Sequence, residues 1–432
     1  MRNRIFLCLA ILPLCFSCEI LDDGNSYVED QSGVTSKNMA VILSSIPLEH
    51  NHLAEVHDAV LRSSNNGYDE EYTLKHLFSS PGSGVGDTSA DVKSSHYDNP
   101  LCNLVRSYIT NLPNHSELTK SATEGDRDIL GTMSPDEFIE GLSKSGMQIY
   151  WPYSENWDGQ AMPVMTFDPE DNAKSNIAYR PIVNADGQLN LDADGNIIME
   201  TIMVDESYAR EHPVWIINTN RDAGFKTLDM MRKDCPDLEG GSLVIPGTSQ
   251  PVETSIKTKE EPCDGIKTLI LKKFKSRRQF DNFFAGGSEF FIKIGYIDDF
   301  LASTEAEMRV YTPMVTDFMI VVKRSQVGQP IDVNTVLVSS WTGDDLYNDC
   351  AFLILEDDGG KRTKWKCEAV VKYKSKSFGA VLDIPLNTRD DIVWRGHITS
   401  TFMDEYVGFF WAFGDVEVMF DIVDSRRPFL RD

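Results

Sequence analysis

The chain has 432 residues, of which 41% are apolar and 25% are charged, and this composition is typical of a globular protein with a sizeable core. Its 67 Asp and Glu residues outnumber its 41 Lys and Arg residues, so that the formal net charge is −26. A surface this acidic repels the phosphates of nucleic acids, which are therefore excluded as partners.

The first residues have the pattern of a signal peptide. Arg2 and Arg4 precede an apolar run from Ile5 to Leu14, which is too short to span a bilayer as a helix. Residues 14–18 read Leu-Cys-Phe-Ser-Cys, so that a cysteine follows a small residue. A plain secretory signal and an uncleaved buried segment are the alternatives to a lipid-attachment signal.

This stretch resembles the lipobox of bacterial lipoproteins. The resemblance implies that residues 1–17 are removed and that Cys18, as the first mature residue, carries a lipid anchor. Glu19, Asp22 and Asp23 resemble the acidic tract of surface-exposed lipoproteins in some Gram-negative bacteria, which implies a lipid-anchored position on the outer membrane. Cleavage removes Arg2 and Arg4 and no acid, so that −26 becomes −28. Anionic headgroups repel such a protein, and the acyl chains would have to hold it there.

The next part of the chain changes from an acidic tether to helices. Residues 18–36 are polar and acidic without periodicity, which is typical of a flexible tether. Residues 37–145 carry apolar residues at helical spacing and are predicted to form a small helical domain. The clearest local signal is Ser134-Pro135-Asp136-Glu137, which is a capping box with proline at the first helical position.

From residue 146 onward the pattern is that of strands. Residues 146–264 are predicted to form a β-rich middle region that ends in a long irregular connection, since short alternating runs give way to Gly- and Pro-rich breaks. Residues 265–432 are predicted to form an antiparallel β-sandwich domain; in the last strand Val416, Val418, Phe420 and Ile422 share one face. The fold class is therefore α+β.

Acidic doublets recur at predicted turns in the C-terminal part. The stretches 341–365 and 389–398, which contain several of them, faintly resemble the synaptotagmin-type calcium-binding sandwich. In that family aspartates from loops at one end share calcium ions, so the resemblance implies calcium as a ligand. Solvated turns are the alternative. The candidate metal ligands are Asp298, Asp299, Asp344, Asp345, Asp357, Asp358, Asp390 and Asp391.

A dense aromatic group follows the helical region. Tyr150, Trp151, Tyr153 and Trp157 lie beside Glu155 and Asp158, and flat rings next to carboxylates suit the stacking of sugars. The alternative is a packed junction between the helical and β regions. The five cysteines after Cys18 include no CxxC pair, and a Cys235–Cys263 disulfide is an open possibility.

The sequence contains no HExxH, GxSxG, P-loop or dinucleotide-binding motif. We therefore expect a binding or adhesion module displayed by a lipid anchor, with a glycan or protein ligand and with calcium as a stabilising ion. The rival is an extracellular hydrolase acting on glycans or peptides. A third hypothesis is a structural subunit of a surface complex.

Overall fold

The protein has an α+β fold with a helix-covered sheet followed by strand-rich C-terminal sheets. The computed structural model describes residues 34–78, 100–111, 133–169, 173–184, 188–193, 197–219, 227–230, 267–296, 314–338, 346–348, 350–357, 362–373, 376–387 and 390–424. The described helices are α1 (Ser36–Ser44), α2 (His50–Asn65), α3 (Leu74–Phe78), α4 (Pro100–Asn111), α5 (Pro135–Lys144), α6 (Glu206–Glu211) and α7 (Ser400–Tyr406).

The strands fall into four sheets, in which the neighbouring pairs are antiparallel except for β3 and β6. The six strands before residue 220 are β1 (Glu71–Thr73), β2 (Met147–Tyr150), β3 (Val164–Phe167), β4 (Ser175–Pro181), β5 (Met199–Asp205) and β6 (Val214–Thr219). Those after residue 266 are β7 (Lys267–Ser276), β8 (Ser288–Tyr296), β9 (Met314–Val322), β10 (Ile331–Val338), β11 (Leu346–Asn348), β12 (Cys350–Glu356), β13 (Arg362–Tyr373), β14 (Lys376–Asn387), β15 (Asp391–Ile398), β16 (Phe410–Phe413) and β17 (Val416–Asp424).

Helix α5 begins where the capping box predicts. The Glu137 N–H donates to the Ser134 hydroxyl at 3.3 Å, and the Ser134 N–H donates to the Glu137 carboxylate at 2.8 Å. Two backbone N–H groups that would otherwise be unpaired at the start of the helix are thereby satisfied. Pro135, at the first helical position, has no backbone N–H that would need a partner. The buried face of α5, formed by Phe138, Ile139 and Leu142, packs into the N-terminal core.

The N-terminal helices and the six-stranded sheet share one hydrophobic core. The strand order is β1-β2-β6-β3-β4-β5, and α1 packs on β3, β6 and β4. Buried residues from the helices, such as Met39 and Val56, lie in the same cluster as Trp215 of β6 and Trp151, which directly follows β2. Residues on both sides of the predicted division at 145 and 146 therefore contribute to one core, because the helices pack on the sheet.

The C-terminal part is built around a two-sheet sandwich. The sheets β10-β7-β17-β16 and β15-β12-β8-β9 enclose a common core, and β11-β13-β14 forms a third, three-stranded sheet. The predicted alternation in the last strand is confirmed for Val416, Val418 and Phe420, which are buried, while Ile422 packs at the core's margin. The sandwich-like architecture expected from the strand pattern is present.

The loop between β7 and β8 joins the sandwich to the N-terminal sheet, and its residues 281–287 are named the junction loop. Its side chains Phe283 and Phe284 are buried among Tyr150, Val164 and Ile216, residues of the six-stranded sheet. The Asn218 side-chain amide donates to the carbonyl oxygens of Phe284 and Ala285 at 3.0 and 2.7 Å. Apolar burial and hydrogen bonds thus both hold the junction loop against the sheet.

Candidate functional site

A cluster of buried carboxyl groups lies beside the junction loop. Asp69 and Glu70 stand between the turn at Gly67, whose φ of +80° suits glycine, and strand β1. The Glu70 carboxylate accepts hydrogen bonds from the backbone N–H groups of Tyr153 and Ser154 at 3.2 and 2.9 Å and from the Ser154 hydroxyl at 2.8 Å. It thus caps the short 3-10 turn Ser154–Asn156 from a distant part of the chain.

Glu70 and Glu155 form a hydrogen-bonded pair of carboxyl groups, in which the pKa of Glu70 is raised and that of Glu155 is lowered. Burial, followed by the hydrogen bond to Glu155 and the nearby charge of Asp69, raises the pKa of Glu70 to about 8. Partial burial works against ionisation of Glu155, but the hydrogen bonds from Glu70 and Ser325 outweigh it and lower the pKa of Glu155. At neutral pH the pair therefore holds one proton, mainly on Glu70.

Asp69 connects the same cluster to the sandwich. One carboxylate oxygen accepts the Gly287 N–H at 2.7 Å, while its other oxygen, Oδ1, has no hydrogen-bond partner among the described residues. Burial raises the pKa of Asp69, although the Gly287 N–H and the positive charges of Arg324 and Lys323 oppose the shift. A buried carboxyl with one oxygen lacking a hydrogen bond costs free energy of desolvation. The neighbouring positive charges and hydrogen-bond donors must offset this cost for the junction to stay packed.

Arg324 is the main compensating cation. Its buried guanidinium donates to the carbonyl oxygens of Asp281 at 3.2 Å, Gly286 at 2.7 Å and Asn282, and it lies 3.5 Å from the Glu206 carboxylate. All three carbonyl contacts are made by one guanidinium nitrogen, Nη2. The arrangement leaves no open face on Glu70 for a reactant, since this side chain is buried and its carboxyl is hydrogen-bonded within the protein.

The structure places only part of the predicted aspartate set. Asp298, Asp299, Asp344, Asp345 and Asp358 lie outside the described residues. Asp357 directly follows β12 and is buried, whereas Asp390 directly precedes β15 and the exposed Asp391 begins it. Glu356 of β12 pairs in register with Asp391, so that Asp357 lies at the same end of the sheet β15-β12-β8-β9 as Asp390 and Asp391.

The structure brings together a second group of carboxylates at the sandwich, which the sequence did not predict. Asp281, Glu289 and Glu356 bring one oxygen each to within 4.8 Å of one another. They come from the junction loop, strand β8 and the end of β12, and no sequence spacing links them. Three oxygen ligands suit a hard cation such as calcium, so calcium binding at this sheet end stays a prediction.

Calcium is expected to raise the melting temperature of the protein if these carboxylates hold it. At a hundred times its dissociation constant, a ligand that binds only the folded state adds about 2.7 kcal/mol to the free energy of unfolding. Thermal melts in chelator and in millimolar calcium measure the effect. Glu356→Gln should abolish it and Asp391→Asn should not; the reverse result would assign the ion to the doublets, and no shift in wild type would remove both sites.

The aromatic group is mostly packed inside the fold. Tyr150, Trp151 and Tyr153 are buried, and only Trp157 of the four predicted ligand-binding residues is partly exposed. Trp151 contacts Trp157 and Trp215 edge-to-face, with ring centroids 5.3 and 5.7 Å apart. The described geometry therefore matches the alternative of a packed junction for the three buried rings, because their faces are covered by protein.

The β4–β5 hairpin carries four exposed apolar side chains that the sequence did not single out. Its side chains Met203, Leu191, Val183 and Ile198 are 60%, 56%, 55% and 40% exposed. They are half of the exposed large apolar residues found in the described part of the chain. Strand β5 is the last strand in the sheet order, so its outer side is an edge. The apolar and β-branched residues of 201–204 predict a strand, but only the sheet order of the described residues makes it an edge.

No protein-family model, curated protein or solved structure matches this chain. Among the described helices, none combines the length and apolar character that crossing a membrane requires. The described contacts point to two candidate sites: the buried carboxyl cluster at the junction loop and the edge of β5.

Proposed function

We propose that this protein is a lipid-anchored surface protein that binds an extended segment of another protein along the edge of β5. The lipobox-like residues that end at Cys18 support the anchor. The observation that carries the binding function is that β5 is the last strand of the described sheet and carries the 60% exposed Met203, with the exposed Val183, Leu191 and Ile198 in the adjoining segment of the hairpin.

The hydrogen bonds between β4 and β5 determine which backbone groups of β5 are left to bond with a further strand. The Ile182 N–H donates to the Ile198 carbonyl at 2.8 Å, and the register pairs Pro181 with Met199 and Ile177 with Met203. In an antiparallel ladder the bonded pairs alternate, so the even-numbered residues of β5 bond to β4. Met199, Thr201 and Met203 then direct their N–H and C=O groups outward, as addition of a further strand requires.

The charge of the hairpin indicates a basic partner. Residues 175–212 contain seven Asp and Glu residues and two Arg residues. Arg180 is paired with Glu200 at 2.6 Å, and Arg210 with Glu206 at 2.9 Å, so both local cations are already engaged. A second copy of this acidic chain would be repelled, whereas a segment that alternates basic and apolar residues would complement both the charge and the exposed methionine.

Met203→Pro is expected to weaken binding of an alternating Lys-Val decapeptide by about tenfold or more. Proline removes the outward N–H of residue 203 but spares the bonds to β4, and edge strands tolerate proline at such positions. Fluorescence anisotropy with the chain purified from Glu19 onward measures the affinity at low salt.

Two comparisons make this test specific. Met203→Leu keeps both the N–H and the apolar side chain, so it should bind like wild type, and a Glu-Val decapeptide should bind far more weakly than Lys-Val. Equal affinity of wild type and Met203→Pro would count against the edge as the site. Cleavage of the peptide, seen by mass spectrometry, would favour the hydrolase instead.

The described carboxyl pair gives the hydrolase less support. A glycosidase holds its two carboxyl groups about 5–9.5 Å apart with the substrate between them. Glu70 and Glu155 are hydrogen-bonded to each other, and Glu70 is 1% exposed and accepts three further hydrogen bonds from the protein. Neither a sugar ring nor an attacking water has access to Glu70.

A further inference from the structure

The buried carboxyl cluster links the two halves of the fold through separate contacts. Glu70 holds the 3-10 turn that follows β2, whereas its neighbour Asp69 holds Gly287 of the junction loop. Arg324, from the sandwich, holds the carbonyls of the same loop. Any change of charge at Glu70 therefore affects both the sheet and the sandwich.

The geometry around Glu70 cannot accommodate a further negative charge without adjustment. Asp69 Oδ1, Arg324 Nε and the Tyr150 hydroxyl are buried atoms without a hydrogen-bond partner among the described residues. Glu155 lies against Glu70 and favours its own ionised form. A second carboxylate at Glu70 would turn the shared hydrogen bond into a repulsion between like charges in a desolvated site.

We propose that Glu70 and Glu155 form a proton-dependent clamp, which holds the sheet against the junction loop while the pair shares a proton and loosens when that proton is lost. This device is independent of the binding edge at β5.

The charged and titratable groups facing the clamp come from every element packed around it. The negative groups are Asp69, Glu155 and Glu206 of α6. The Glu206 carboxylate lies near the Arg324 guanidinium and accepts a hydrogen bond from the Tyr153 hydroxyl at 2.7 Å. On the positive side are Lys323 and Arg324 of the sandwich and Arg210 of α6. Tyr150 and Tyr153 stay neutral, since burial raises the pKa of both phenols. His57 of α2 also faces this turn, with its Nε2 3.1 Å from the carbonyl oxygen of Ser154. Burial raises the pKa of Asp69 as well as that of Glu70.

The direction of the pH effect follows from the raised pKa. Glu70 binds its proton up to pH about 8 in the folded protein, whereas an ordinary glutamate loses it near 4.5. The folded state therefore holds more protons than the unfolded state between these values, so the stabilisation is complete below pH about 4.5 and is lost as pH rises towards 8. The contribution of Glu70 to the folding constant then falls by up to about tenfold per pH unit.

The test uses the full chain in detergent, with urea unfolding from pH 5 to 9. Glu70→Gln keeps one oxygen to accept the N–H and hydroxyl of Ser154, gives up the acceptor of the Tyr153 N–H, and cannot ionise, so it should lose the wild-type fall in stability between pH 5 and 8. Glu140→Gln changes an exposed residue of α5 and should keep it. Glu155→Gln removes the negative charge beside Glu70, which should lower the pKa of Glu70. The decrease in the free energy of unfolding should then end at a lower pH than in wild type.

Hydrogen exchange, corrected for the intrinsic effect of pH on amide exchange, reports the loosening itself. In wild type, residues 153–155 and 283–288 should exchange faster above pH 8 than at pH 6, and in Glu70→Gln they should show no such step. A wild-type pH slope that persists in Glu70→Gln would overturn the clamp, as would unchanged exchange in wild type. If Glu70→Gln does not fold, an unshifted profile in Glu155→Gln overturns it instead.

Discussion

Replacing Arg324 by methionine is expected to lower the free energy of unfolding by about 3–5 kcal/mol. Methionine fills much of the same volume but leaves the carbonyls of Asp281, Asn282 and Gly286 without their donor. It also leaves Asp69 buried beside the junction without a nearby guanidinium. Each uncompensated buried polar group adds a desolvation cost, so the loss should far exceed that of an ordinary surface pair.

Arg278→Met is the matched control for that substitution. Arg278 also pairs with a carboxylate, that of Asp415 at 2.8 Å, but both side chains are about half exposed. Water screens such a pair, and its removal should cost about 1 kcal/mol or less. Urea unfolding at pH 7 measures both variants. Similar losses for the two arginines would mean that Arg324 does not organise the junction.

Phe284→Ala is expected to destabilise the protein by about 3–5 kcal/mol. The Phe284 ring is fully buried against residues of the six-stranded sheet and lies edge-to-face with Phe283 at a centroid distance of 4.9 Å. Truncation removes its burial and opens a cavity where the junction loop enters the sheet, and close packing there leaves little room for collapse.

Phe409→Ala tests whether that cost comes from burial at the junction. The Phe409 side chain is 65% exposed, so its removal should change the free energy of unfolding by no more than about 0.5 kcal/mol. Thermal and urea unfolding of both variants provide the comparison. A small effect of Phe284→Ala would show that the sandwich and the sheet are held together by other contacts.

Several features of this protein could be predicted from local patterns alone. The capping box at Ser134–Glu137 predicts the start of α5, because its two reciprocal hydrogen bonds join residues only three apart. The alternation of Val416, Val418 and Phe420 predicts a strand with one buried face, because side chains of a strand point to opposite sides in turn. The α+β class follows from the order of such segments, and the strong acidity follows from composition.

The candidate sites depend on contacts that no local pattern encodes. Glu70 meets Ser154 across 84 positions of sequence, and Asp69 meets Gly287 across 218. Likewise, Asp281, Glu289 and Glu356 converge only because the junction loop returns to the end of the sheet. The aromatic group at Tyr150 illustrates the reverse case, in which residues that suit a ligand by their chemistry are covered by packing.

The acidic character, the start of α5 and the buried face of the last strand were thus predictable from the amino-acid sequence, because each depends on neighbouring residues or on simple composition. The folded chain was needed to show that β5 is an edge, that Trp151 is buried and that Glu70 retains its proton up to pH about 8. Strand order, burial and desolvation are properties of the whole fold, since each is set by what distant parts of the chain place beside a residue.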